Sequence, residues 1–150
     1  MAQTTTSVNA CDVALWIDNA SGTLKDASGS SNSVSMNFTK NIGELRTFQQ
    51  VWPVRLSCGK DSTFNVVAVY STAADEGADI LINWYFAANE PALRTVKVYI
   101  PDKNVGSDVY AGEFVMESLD IPASSGEAGP IQLTAVLRPS GEFTLTTNAT

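Results

Sequence analysis

Along most of this chain apolar residues recur at every second position, and one stretch replaces that period with a longer one. Phe64, Val66, Ala68 and Tyr70 alternate with Asn65, Val67, Val69 and Ser71, the arrangement that sends successive side chains to opposite faces of a sheet. Thr72 then stands three residues before Asp75, a helix-start signature in which a hydroxyl accepts a backbone N–H and the acid complements the positive helix end. Ile80, Leu81, Trp84, Tyr85 and Ala88 follow three and four apart. That stripe predicts a helix over 72–89, with Ile80, Leu81 and Trp84 packed on a sheet, until Asn89 and Pro91 stop it. Val96, Val98 and Ile100 return to period 2, so 63–100 reads as strand, helix and return strand. No other stretch carries a convincing helical period, and the remainder must be strands packed around this helix.

The other segments fit that frame. Residues 1–10 are polar and unpatterned, an arm that is flexible or ordered by a partner. Val13, Leu15 and Ile17 alternate as a first strand, and Val34, Met36 and Phe38 alternate with Ser33, Ser35, Asn37 and Thr39 as a half-buried one. Between 40 and 61 the period weakens, and Pro53, which has no N–H for a ladder, bars a central strand at its position. This stretch reads as a long hairpin or loop, and Leu45, Phe48, Val51, Trp52 and Leu56 stay exposed there unless something covers them. A long strand over 109–121 places Tyr110, Phe114 and Met116 on one face, with Gly112 marking a bulge or a close backbone approach. Ile131, Leu133, Ala135 and Leu137 form another strand, Pro139-Ser140-Gly141 predicts a tight turn, and Phe143 and Leu145 complete a terminal hairpin. The expected fold class is mostly β, with about eight strands and one helix in a single domain, 1–150.

Composition narrows the function. A chain of 150 residues can bury roughly 70% of its unfolded surface. Only 17% of residues are charged, against roughly 25% in a typical soluble domain, so neighbouring molecules are expected to cover part of the surface. The net charge of −7, with nine scattered basic residues, supplies no footprint for gripping phosphates. The sequence has no histidine, which removes imidazole bases, ligands and triads. Asp75 and Glu76 read as helix-start charges. Glu113 and Glu117 would lie roughly 13 Å apart on a strand, beyond the roughly 5–10 Å of a glycosidase pair. No catalytic, cofactor or metal site is expected. Cys11 and Cys58 lack CxxC spacing and read as reduced, buried thiols. No apolar run is long enough to cross a bilayer, and the N-terminal residues lack a signal-peptide pattern, so cytosol-like surroundings without a membrane partner are expected.

Several runs carry a family likeness. Gly43-Glu44-Leu45-Arg46-Thr47-Phe48, Trp52-Pro53-Val54-Arg55-Leu56 and Cys58-Gly59-Lys60-Asp61, with Arg94-Thr95 leading into Val98-Tyr99-Ile100-Pro101, are similar to the major tail protein, or tail tube protein, of long-tailed bacteriophages. So is the stretch from Pro130-Ile131-Gln132-Leu133 to Leu137-Arg138-Pro139-Ser140-Gly141-Glu142. The resemblance implies a two-sheet β-sandwich or barrel flanked by the helix, in a non-enzymatic virion protein assembled in the bacterial host cytoplasm. It implies hexameric rings stacking into a tube, with tape measure, tail tip and tail terminator proteins as further partners and DNA as transiting, non-specific cargo. In that family the long hairpin reaches the adjacent ring, which makes Leu45, Phe48, Trp52 and Arg55 the expected contact residues.

A channel that lets DNA slide should not bind it, so lumen faces are expected to be polar without being basic. Gln132, Thr134, Glu142, Thr144 and Thr146, with Glu113 and Glu117, supply such faces, although an ordinary solvated sheet face looks the same by alternation. A β-sandwich carbohydrate-binding or adhesive module using Trp16 or Trp52 as a platform is the alternative. A hydrolase using carboxylates alone has only their number in its favour.

Overall fold

The order of strands in space differs sharply from their order in sequence. The computed structural model describes residues 8–123, 126 and 128–149, so residues 1–7 of the expected N-terminal arm lie outside the described residues. Among the described residues the strands are β1 (Ala14–Asp18), β2 (Leu24–Asp26), β3 (Ser31–Leu45), β4 (Val54–Val69), β5 (Arg94–Ile100), β6 (Asp108–Asp120) and β7 (Gln132–Thr147), with the helix α1 (Gly77–Tyr85) between β4 and β5. They form one antiparallel sheet in the order β2-β1-β5-β6-β7-β4-β3. Register brings the alternating apolar residues to one face, pairing Leu15 with Val98, Phe64 with Leu137, Val66 with Ala135 and Ala68 with Leu133. All eight are buried.

The sheet curls over this face. β2 and β3 are its opposite edges, yet only residues 27–30 join them. Seven flat strands at about 4.8 Å spacing would put those edges about 29 Å apart, whereas the linker reaches about 17 Å. The linker also bridges interior strands, since Ala27 N–H donates to Leu15 O and the Ser30 carbonyl accepts from Val69 N–H, both at 2.8 Å. No ladder joins β2 to β3, so the expected barrel is corrected to an open, curled sheet, with seven strands among the described residues instead of about eight. The helix sits inside the curl and touches β1, β4 and β6.

Two boundaries expected from sequence move. The helix starts at Gly77 and not at Thr72, because Gly77 N–H donates to Ser30 Oγ at 2.8 Å, and a Cβ at this position would come within 2.7 Å of that oxygen. Residues 72–76 form the approach, with Asp75 at φ +61 and its N–H donating to Asp79 Oδ2 at 3.0 Å. The helix ends at Tyr85, short of the expected residue 89, as Phe86 N–H bonds Ile82 O and Trp84 Nε1 donates 2.6 Å to Ala92 O in the returning chain. Ile80, Leu81 and Trp84 are buried, whereas Tyr85 and Ala88 are exposed.

The expected terminal hairpin is also corrected. Pro139-Ser140-Gly141 does not reverse the chain: β7 continues to Thr147, with Phe114 opposite Pro139 and Gly112 opposite Phe143. Three β7 residues, 140–142, therefore face Glu113 alone, a bulge that tolerates Pro139 and uses Gly141 at φ +109. Gly112 does lie in close approach, since a Cβ there would be 3.0 Å from the Phe143 ring. Finally, Cys11 and Cys58 are exposed thiols, not buried ones: Cys11 lies in a short 3-10 turn and Cys58 on the protruding hairpin.

Candidate assembly surfaces

The β3–β4 ladder runs from Ser31 opposite Ala68 to Leu45 opposite Val54, with register shifts between Ser31 and Ser33 and between Lys40 and Asn41, the second where Gly59 takes φ +74. Beyond that bulge no other described element packs on the hairpin, and every residue but Pro53 is exposed from Lys40 to Asp61. The arm projects roughly 17 Å from Lys40 to Leu45 at strand rise. Phe48 is 101% and Trp52 82% exposed at its tip. An isolated two-stranded hairpin is marginal in water, so an apolar arm of this kind implies a covering partner.

The arm has two unlike faces. Register puts Leu45, Val54 and Leu56 on one face and Ile42, Glu44 and Arg55 on the other. Glu44 holds both guanidiniums near it, with Arg46 Nε at 2.6 Å and Arg55 Nε at 3.6 Å. Sequence reading missed this two-faced pattern: the alternation exists in each strand, but the tip at 46–53 interrupts its phase, and only the pairing register restores it.

The sheet face turned away from the core mixes hydroxyls, amides and acids with valines. Glu113 lies opposite Thr95, whose hydroxyl donates to its carboxylate, and Thr134 lies opposite Val67 on the same face. Thr144, Thr146 and Gln132, opposite Ala111, Val109 and Val69, share it. Ser33, Ser35, Asn37, Thr63 and Asn65 extend it across β3 and β4, an extension that appears only once strands are placed side by side. Glu117 is engaged there by Arg138, which also reaches Asp61, at 2.9 and 3.1 Å. The hydrogen bond and charge of Glu117, helped by Asp61, raise the Arg138 pKa above its ordinary value and leave its charge matched. Glu142 sits in the β7 bulge and lines a cavity of about 490 Å³ at the root of the arm, beside Phe38 and Phe143.

Trp16 is no open platform, because the Lys103 ammonium lies 3.7 Å from its ring centre. The described residues hold no cluster of three or more potential metal ligands.

No family model matches the chain, and no curated protein does. Solved structures do. A chain from the tail of an empty gene transfer agent particle, determined with C6 symmetry, superposes with a TM-score of 0.73 at 16% identity, over 93% of this chain and 99% of that one. A chain of the SPP1 tail tube gives 0.70 at 13% identity, over 96% and 80%. One from the sheath–tube complex of an extracellular contractile injection system gives 0.69 at 8% identity, over 96% and 94%. The fold is thus the tail-tube fold, mostly β with one helix.

Proposed function

We propose that the protein is a structural, non-enzymatic virion component that polymerises as stacked hexameric rings into the tail tube of a phage or phage-like particle, through which DNA passes. The observation that carries this reading is the bare arm: on a chain with the tail-tube fold, an apolar hairpin that no other described element covers is what an inter-ring contact through Leu45, Phe48, Trp52 and Arg55 requires. Contacts with tape measure, tail tip and tail terminator proteins follow from the same role, as does assembly in the host cytoplasm. The face carrying Glu113, Glu117, Gln132, Thr134, Thr144 and Thr146 is assigned to the lumen, since its hydroxyls, amide and acids outnumber its cations, Lys97 and an Arg138 already paired with Glu117 and Asp61, and so give DNA little to neutralise. Glu142, in the bulge, belongs to an inter-subunit contact in this reading.

The test is negative-stain microscopy of the purified protein over rising concentration. Hollow tubes with sixfold end views are expected. Monodisperse monomers throughout, with saturable sugar binding, would favour the binding-module alternative.

A further inference from the structure

The cavity at the root of the arm has three features that the isolated chain leaves unresolved. Lys40 and Lys60 are direct cross-strand partners, a like-charge pair that destabilises a ladder, and neither has an acidic partner among the described residues. Ser62, 4% exposed and lining the same cavity, has a buried hydroxyl without a hydrogen-bond partner among the described residues. The Phe38 ring, 50% exposed, lies 5.4 Å from Phe143 and closes an aromatic floor that solvent still reaches. Glu142 lines the cavity as well.

We propose that this cavity is the socket for the arm tip of a second copy of the chain, a deepening that rests on the tail-tube reading above. The tip supplies what the cavity lacks. Phe48 or Trp52 adds an aromatic ring to the Phe38–Phe143 floor, and such pairs gain beyond their buried area. The amide oxygens of Gln49 and Gln50, on the exposed turn closed by Gln50 N–H to Thr47 O, accept from the two ammoniums. The guanidinium of Arg46 meets Glu142, so the cavity's cations face acceptors and its acid faces a cation. The chain's own tip cannot fill the cavity, because the paired ladder from Lys40 to Leu45 holds it about 17 Å away. Plug and socket at opposite ends of one hairpin make a heterologous contact, which repeats from molecule to molecule without closing.

The test mixes two singly substituted proteins, both carrying Cys11→Ser and Cys58→Ser: one with Gln49→Cys at the tip, the other with Glu142→Cys in the socket. Mild oxidation should give a mixed disulfide dimer well above the yield when the socket cysteine is replaced by Asn83→Cys on the exposed side of the helix. Yields equal to that control overturn the socket. A short DNA duplex that shields Glu142→Cys from alkylation, while the tip protein does not, overturns it in favour of a phosphate site. Dimer formation needs no tubes, so its failure with wild-type tubes present removes the socket alone, whereas absent wild-type tubes count against the tail-tube reading. In the otherwise unaltered protein, Lys60→Glu should keep its circular dichroism and raise the concentration needed for polymerisation about tenfold, the scale of one strong contact.

Discussion

The Arg94 guanidinium lies 5.6 Å from the centre of the Trp84 ring and donates to the carbonyls of Ile80 and Asp18, at 3.2 and 3.3 Å. One cation from β5 thereby holds the helix and the end of β1 together. Burial lowers the pKa of Arg94, and the nearby Asp18 charge works against that shift. Trp84, 2% exposed, fills the space between helix and curled sheet. Trp84→Ala should cost about 3–5 kcal/mol, which for a chain of this length lowers Tm by roughly 6–20 °C. An unchanged Tm in differential scanning calorimetry would mean that this ring is not part of the core.

Replacing residues 46–53 by Asn-Gly should leave the subunit folded, because nothing in the core touches that tip. Far-UV dichroism and Tm should match wild type while microscopy finds no tubes. Normal tubes from the shortened chain would take the arm out of the assembly contact.

Asp102 organises the loop between β5 and β6. Its carboxylate accepts from Asn104 N–H at 2.9 Å, from Ser107 Oγ at 2.8 Å and from the Asn104 side-chain amide at 2.8 Å. These bonds favour the charged form, the backbone one most, and hold the pKa below its ordinary value. A depressed carboxylate adds stability that is present above the unfolded pKa, about 3.9, and is lost as pH falls through the lower folded value. Asp102→Asn should therefore be less stable than wild type at neutral pH, and the gap should narrow in acid. Urea midpoints measured from neutral pH to about pH 2 read this directly, and two parallel curves would refute it.

Glu113→Lys with Thr134→Lys puts two cations on the face assigned to the lumen. Tubes should still form, DNA delivery should slow or abort, and added salt should partly restore it by screening. Delivery at the normal rate in low salt would place this face outside the channel.

What the chain's sequence determined by itself is the part of the structure whose cause is local. Period-2 alternation in 64–68, 96–98 and 133–137 produced strands with the expected side buried, because which face of a strand is apolar is written in its own residues, whereas Tyr70 falls beyond the end of β4 and is exposed. The stripe of Ile80, Leu81 and Trp84 is likewise a property of one helix. The unpatterned apolar residues of 40–61 already signalled surface in need of a partner.

Tertiary structure decided whatever depends on a neighbour far away in the chain. The helix begins at Gly77 because Ser30, 47 residues earlier, occupies the space a Cβ would need and offers the capping oxygen, which no local propensity at Thr72 can anticipate. Pro139-Ser140-Gly141 has turn composition, yet β6 on one side holds the strand straight through it as a bulge. Glu142 thereby comes to line the cavity at the root of the arm, a placement that alternation along one strand does not give. Lys40 and Lys60 are 20 residues apart and unremarked in sequence, and only the β3–β4 register makes them an unpaired like-charge couple over an orphaned hydroxyl. Side-chain alternation is a one-strand property, whereas register, curl and cavity arise from pairing between strands, and pairing is set by the whole core at once.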